Sequence, residues 1–140
     1  MKQLTHSCSQ PANLVFPFIA DIQKFVSIHP VLFKADEIKP NYFLLHEKLN
    51  KHLPFSFSYY VTMVELIPNQ KVVMHSNIFK LVDLTLTFDF NYNEQTQATE
   101  ITEYINIQAP ALIKYQFAKM ISKIHVQLFS IINKTLASNN

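Results

Sequence analysis

Glu103 stands between Ile101 and Ile105, and in an extended chain, where side chains alternate, all three share one face. A carboxylate on an otherwise apolar face needs a partner, because burying it unpaired is costly or drives its pKa upward. A tyrosine hydroxyl or the polar group of a ligand would serve. Glu103 is therefore the candidate for orienting a polar ligand head or acting as a general base; the plainer alternative is a structural carboxylate at the rim of the interior.

Imidazoles can serve metal and acid–base roles, but the 6 histidines show no HxH, HxxxH or HExxH spacing. His46 and His52 flank a turn, and His29 and His125 are far apart in sequence. His75 shares a strand face with Val73, Asn77 and Phe79 that reads as the outer one. No metal site and no cofactor is expected. Cys8 has no activating neighbour and reads as an inert buried thiol. Ser56 and Ser58 alternate outward from the aromatic residues around them, and a nucleophile elbow needs glycine, of which the chain has 0. A hydrolase is excluded, and no catalytic residue is assigned.

The same lack of glycine excludes the phosphate-cradling loops and dinucleotide fingerprints that depend on it. The basic residues are all lysine and scattered from Lys2 to Lys134, with a net charge of only +2. Without arginine or a basic cluster, nucleic acid is disfavoured as a partner. Hydrophobic residues at 49% against 16% charged identify a globular chain, and 140 residues suit one domain, spanning 1–140, with a single core. No apolar run reaches the ~20 residues of a membrane span. The lone Cys8 and the lack of a signal-type start make a cytoplasmic location the expectation.

Several elements must position these groups. Residues 2–8 read as a strand, and Ser9-Gln10-Pro11 as the cap of a helix. Leu14, Val15, Phe18, Ile19, Ile22, Phe25 and Val26 then recur at helical spacing, which predicts two short helices with a bend near Ala20-Asp21, closed by His29-Pro30. From 31 to 107 the period becomes two. Phe55, Phe57, Tyr59, Val61 and Met63 alternate with polar residues, as do Leu84, Leu86, Phe88 and Phe90. Weaker alternation at 31–38, 41–49, 71–79 and 98–107 supplies further strands. Turns fall at Lys39-Pro40-Asn41, Pro68-Asn69-Gln70 and Asn91-Tyr92-Asn93-Glu94, where asparagine and proline replace the missing glycine. Pro110 opens a long helix to about Ala137, with Ile113, Phe117, Met120, Ile121, Ile124, Leu128, Ile131 and Ile132 on one stripe. A helix about 40 Å long with one apolar stripe must lie across the concave face of a sheet. The fold class is α+β: a curved antiparallel sheet of six to seven strands wrapped on a long C-terminal helix.

That order of elements resembles the START-like (SRPBCC) superfamily, the helix-grip fold. Val15-Phe16-Pro17-Phe18-Ile19-Ala20-Asp21-Ile22-Gln23-Lys24-Phe25 with His29-Pro30 is similar to the family's opening helices. Thr99 to Ile105 resembles its last strand, and Ile124-His125-Val126-Gln127-Leu128-Phe129 its closing helix. The resemblance implies a cavity between helix and sheet, which in relatives carries lipids, sterols, polyketides or plant hormones. Other relatives are cyclases or dehydratases, activate chaperones or bind quinones, and fold alone does not choose among them.

The resulting expectation is a noncatalytic binder or carrier of an apolar small molecule. Phe25, Phe43, Phe57, Tyr59, Met74 and Phe88 would line the pocket with Glu103, Ile105, Phe117, Met120 and Ile124. The alternatives are a cyclase or dehydratase using Glu103 with Tyr59 or another tyrosine, a chaperone-activator-like interaction module, and an ordinary filled phenylalanine-rich core. An enzyme should place two or more titratable groups inside the pocket and a carrier at most one, while an interaction module should expose an apolar patch.

Overall fold

The computed structural model describes residues 1–49 and 55–138. The elements run β1 (Lys2–Cys8), α1 (Ala12–Val15), α2 (Pro17–Ala20), α3 (Ile22–Ile28), β2 (Leu32–Lys39), β3 (Tyr42–Glu47), β4 (Phe57–Ile67), β5 (Lys71–Ile78), β6 (Val82–Asn93), β7 (Ala98–Gln108) and α4 (Ala111–Ser138). The strands form one 7-stranded sheet in the order β1-β7-β6-β5-β4-β3-β2. Every pair is antiparallel. The chain from β2 to β7 is a meander, and β1 joins the far edge beside β7. Register shifts in the β2–β3 and β4–β5 ladders bend the sheet, as extra residues in one strand of a pair do.

As expected, the helical stretch between β1 and β2 bends at Asp21, which is extended. Within its first part Pro17 interrupts the helical hydrogen bonding, so that Phe16, itself in helical conformation, divides α1 from α2. Asp21 caps α3 by accepting from the backbone N–H groups of Gln23 at 3.0 Å and Lys24 at 3.4 Å. The first helix is capped by Pro11 rather than Ser9 and has no side-chain cap.

Glycine-free turns hold the hairpins. Asn41 and Asn69 take left-handed φ values of 64° and 62°, each directly after a proline, as a type II turn requires. The third expected turn lies further on. Strand β6 continues to Asn93, whose side chain accepts from the N–H of Gln95 at 2.9 Å, and Gln97 supplies the left-handed residue. The β5–β6 tip carries no turn-favouring residue: Phe79 and Lys80 both adopt positive φ, closed by the Leu81 N–H donating to the Ile78 carbonyl at 3.1 Å.

Helix α4 packs on β1 and β7 and touches α3. Its buried positions are Ile121, Ser122, His125, Leu128, Phe129, Ile132 and Leu136. The expected stripe begins at Ile113, which with Phe117 packs partly buried against the core, and full burial begins at Ile121. Leu112 and Tyr115, off that stripe, remain 70% and 66% exposed. Phe88, Ile101, Ile105, Leu128 and Ile132 are fully buried where β6 and β7 meet the helix. Among the described residues no helix is long and apolar enough to cross a membrane.

Candidate functional site

Because α4 sits over the β1–β7 side of the sheet, among the described residues the concave face of β3 to β6 is roofed by α3, the α3–β2 link and the middle of α4. A cavity of about 60 Å³ remains there. Phe25, Leu45, Phe57, Val61, Met74 and Leu86 supply its apolar wall, with Met120, Ile121 and Ile124 from α4. A surface cleft lined by Val31, Leu49, Met120, Lys123, Ile124 and Gln127 shares Val31, Met120 and Ile124 with the cavity and so lies next to it.

Four titratable side chains stand on the cavity wall: His29, Glu47, Tyr59 and His125. They reach it from three different elements and the α3–β2 link, so strand alternation and helix spacing bring together residues the sequence keeps apart. Glu47 follows Phe43 and Leu45 on the inner face of β3 and accepts a hydrogen bond from the Tyr59 hydroxyl at 3.0 Å. Burial pushes the Glu47 carboxyl above its ordinary range, more than the Tyr59 hydrogen bond and the His125 charge pull it down. Burial, then the Glu47 charge and hydrogen bond, hold the Tyr59 phenol well above its usual value.

Glu103 lies one layer behind. It is completely buried, and its two oxygens are bound by two histidines: His6 Nε2 on Oε1 at 2.9 Å, and His125 Nδ1 on Oε2. Burial alone would raise this carboxyl. The charge and hydrogen bond of His125, with those of His6, outweigh it and hold Glu103 below the ordinary carboxylate value. The partner expected from the sequence was a tyrosine or a ligand; it is a pair of imidazoles. His6 in turn stacks on Phe129, and Phe88 packs 6.1 Å from His125 and 6.3 Å from Phe129, ring centroid to centroid.

Of the candidate lining residues, Phe25, Phe57, Tyr59, Met74, Met120 and Ile124 face the cavity. Phe88, Glu103 and Ile105 do not, since α4 itself covers the part of the sheet from which they project. Ile105 instead borders a groove with Met1, Lys2, Ile107, Ala111, Lys114, Tyr115 and Ala118. Phe43 and Phe117 are partly buried against the core away from the cavity wall. Sequence reasoning missed His6, His29, Glu47 and His125. The signals existed: His6 alternates with Leu4 and Cys8 in β1, Glu47 with Leu45, and His125 falls four residues after Ile121 and three before Leu128.

The remaining histidines serve the outer face. His46 bonds Asp36 at 2.7 Å and Ser58 at 2.8 Å across three strands, and His75 pairs with Asp83. His52 lies outside the described residues. Cys8 is buried and its thiol is pushed up to about 11 by burial. Among the described residues no group of three or more His, Cys, Asp or Glu is arranged to hold a metal ion.

No protein-family model matches the chain, and no curated protein matches it in sequence. Solved structures do match in shape. The Zhui aromatase/cyclase from Streptomyces sp. R1128 superposes with a TM-score of 0.71 at 13% identity, over 96% of this chain and 91% of that one. A conserved protein from Geobacillus kaustophilus gives 0.75 at 10% identity, over 97% and 94%. The di-domain ARO/CYC BexL from the BE-7585A biosynthetic pathway gives 0.74 at 14% identity, with 100% of this chain on 48% of that one. At such identities the likeness is one of fold.

Proposed function

On the START-like, helix-grip fold that the chain shares with these structures, we propose that the protein binds a mostly apolar small molecule carrying one polar group. The carrying observation is the cavity itself: apolar side chains from α3, five strands and α4 surround a few converging polar groups, the composition expected of a small-molecule site. A void also carries a stability cost that a filled core does not. At about 24 cal/mol per Å³, a cavity of about 60 Å³ costs about 1.4 kcal/mol.

A second reading, an acid–base enzyme of the cyclase or dehydratase type, is favoured by the number of titratable groups. His29, Glu47, Tyr59 and His125 on one wall exceed the single group that a carrier needs. The aromatase/cyclase activity of some structural neighbours is in keeping with that reading.

Native mass spectrometry of the purified protein tests binding. A retained apolar molecule, lost on substituting Val61→Phe to block the cavity, is the expected result. A spectrum free of any adduct, with no thermal shift from added apolar compounds, refutes the binding reading.

A further inference from the structure

The two histidines on the cavity wall are fixed in complementary roles. His29 Nδ1 accepts from the backbone N–H groups of Val31 at 3.2 Å and Leu32 at 3.1 Å. The proton of its neutral ring is therefore on Nε2, and the ring can only donate to a ligand. Burial first, then the His125 charge, hold this imidazole far below its ordinary range, at about 3, so it stays neutral at physiological pH. His125 is the opposite case. Its Nδ1 bonds Glu103, which as a carboxylate can only accept, so Nδ1 carries a proton in either charge state, and in the neutral ring Nε2 presents a lone pair. The two rings stand perpendicular with centroids 6.2 Å apart, and both line the cavity.

A fixed neutral donor beside a base backed by a carboxylate suits one kind of ligand. The donor calls for an oxygen acceptor, and the base for an acidic hydrogen a short distance from it. The apolar wall calls for carbon everywhere else.

We infer that the cavity is a site for proton abstraction next to a carbonyl, in which His29 Nε2–H binds the carbonyl oxygen of an apolar ketone and His125 Nε2 removes its α-proton. This deepens the acid–base reading above and rests on it. The α C–H bond breaks, and its electron pair becomes the carbon–carbon double bond of an enolate. The carbonyl π pair moves to the oxygen held by His29. The proton rests on His125, where it exchanges with solvent, and a solvent-derived proton or deuteron then returns to carbon, so nothing is oxidised or reduced and no co-reactant other than water is required. Glu103 is a positioning residue: it fixes the His125 tautomer and stabilises the imidazolium that forms. His6, bonded to the other Glu103 oxygen, keeps the carboxylate aligned.

The test uses 2-tetralone, an apolar ketone with acidic α-hydrogens, and the intact protein in D₂O. Binding is read from chemical-shift changes of cavity methyl groups, and deuterium uptake at the α-carbon from proton NMR. The expected result is exchange on the order of 100-fold faster than with the same concentration of free imidazole. His125→Gln should abolish the acceleration, and His29→Phe should lower it and weaken binding. Glu103→Gln should slow exchange while leaving 2-tetralone binding unchanged, a split that a purely structural carboxylate would not produce. Bound 2-tetralone that exchanges no faster than with imidazole overturns the inference and leaves the binding reading standing. Exchange that survives His125→Gln also overturns it. Failure of both 2-tetralone and acetone, a ketone small enough for a cavity of about 60 Å³, to shift any cavity resonance overturns the binding reading and this one with it.

Discussion

His6 lies flat against Phe129, with ring centroids 3.9 Å apart and planes inclined by 14°, while its Nε2 reaches the Glu103 carboxylate at 2.9 Å. The first strand is thereby tied both to the last strand and to the closing helix. Substituting His6→Leu keeps much of the stacking area but removes one hydrogen bond to a buried anion. That exchange should lower stability by about 2 kcal/mol, the usual scale for a hydrogen bond to a charged group. Urea unfolding gives the number, and a loss below about 0.5 kcal/mol would mean that the bond to Glu103 contributes nothing net.

Whether this buried network serves stability or chemistry can be separated. Removing one member strands the others, so Glu103→Leu alone should cost about 3–5 kcal/mol. Replacing all three, with His6→Leu, Glu103→Leu and His125→Leu together, leaves no orphaned charge and should return the protein to near its original stability or above it. Such recovery in thermal melts, with deuterium exchange of 2-tetralone abolished, identifies a network kept for function. A triple variant as unstable as the single one would assign it to the fold.

The fold was legible because two periodicities were clean: alternation through Phe57–Met63 and Leu84–Phe90, and helical spacing from Ile113 onward. Each reports burial against a neighbour, and neighbours along a meander are also neighbours in sequence. The site was only partly legible, for the same reason. Tyr59, Met74, Met120 and Ile124 are apolar enough to mark their own inward direction. The contacts of Glu103 with His6 and His125 join residues 97 and 22 positions apart, and no local pattern encodes which strand edge lies under which helix turn. The β5–β6 tip was missed on chemical grounds, since Phe79-Lys80 carries none of the residues that ordinarily favour left-handed φ.

Acid should destabilise the protein in two stages with the same sign. His29 is held at about 3 in the folded state, below its ordinary value of 6.5. Between those values the unfolded chain binds the extra proton, so stability falls as pH drops from about 6.5 toward 3, by up to about 1.4 kcal/mol per unit. Glu103, lowered from 4.5, adds its own loss once pH falls below that value. Glu47 works the other way: its raised carboxyl favours the folded state below 4.5 and loses that contribution as pH rises through the folded value. His29→Asn keeps an acceptor for the Val31 and Leu32 N–H groups but cannot titrate. Its urea midpoint should stay nearly flat between pH 6.5 and 5, where that of the original protein declines; parallel declines would clear His29 of the effect.

The β5–β6 tip offers a gain in stability at little structural risk. Phe79 and Lys80 hold φ values of 58° and 55°, a type I′ geometry in which both central residues are left-handed. Phe79 has compensation from its ring, which packs 5.2 Å from Phe57. Lys80 is exposed. Lys80→Gly should therefore relieve backbone strain worth about 1 kcal/mol, partly offset by the greater freedom of glycine in the unfolded chain. Thermal unfolding should show a midpoint a few degrees higher; a lower one would mean that the Lys80 side chain contributes more than its backbone costs.

Stability and binding should trade against each other at the cavity. Val61 is 3% exposed and lines the void from the middle of β4, as do Met120, Ile121 and Ile124 from α4. Val61→Leu adds one methylene to a space that already costs the fold about 1.4 kcal/mol, so it should raise stability by up to about 1 kcal/mol. The same methylene takes room from a ligand and should weaken binding of 2-tetralone severalfold. Measured together by urea unfolding and NMR titration, opposite signs mark the void as space reserved for a guest. Tighter folding with unchanged affinity would place the guest elsewhere, and lower stability would mean that the space is already filled by the motion of its own walls.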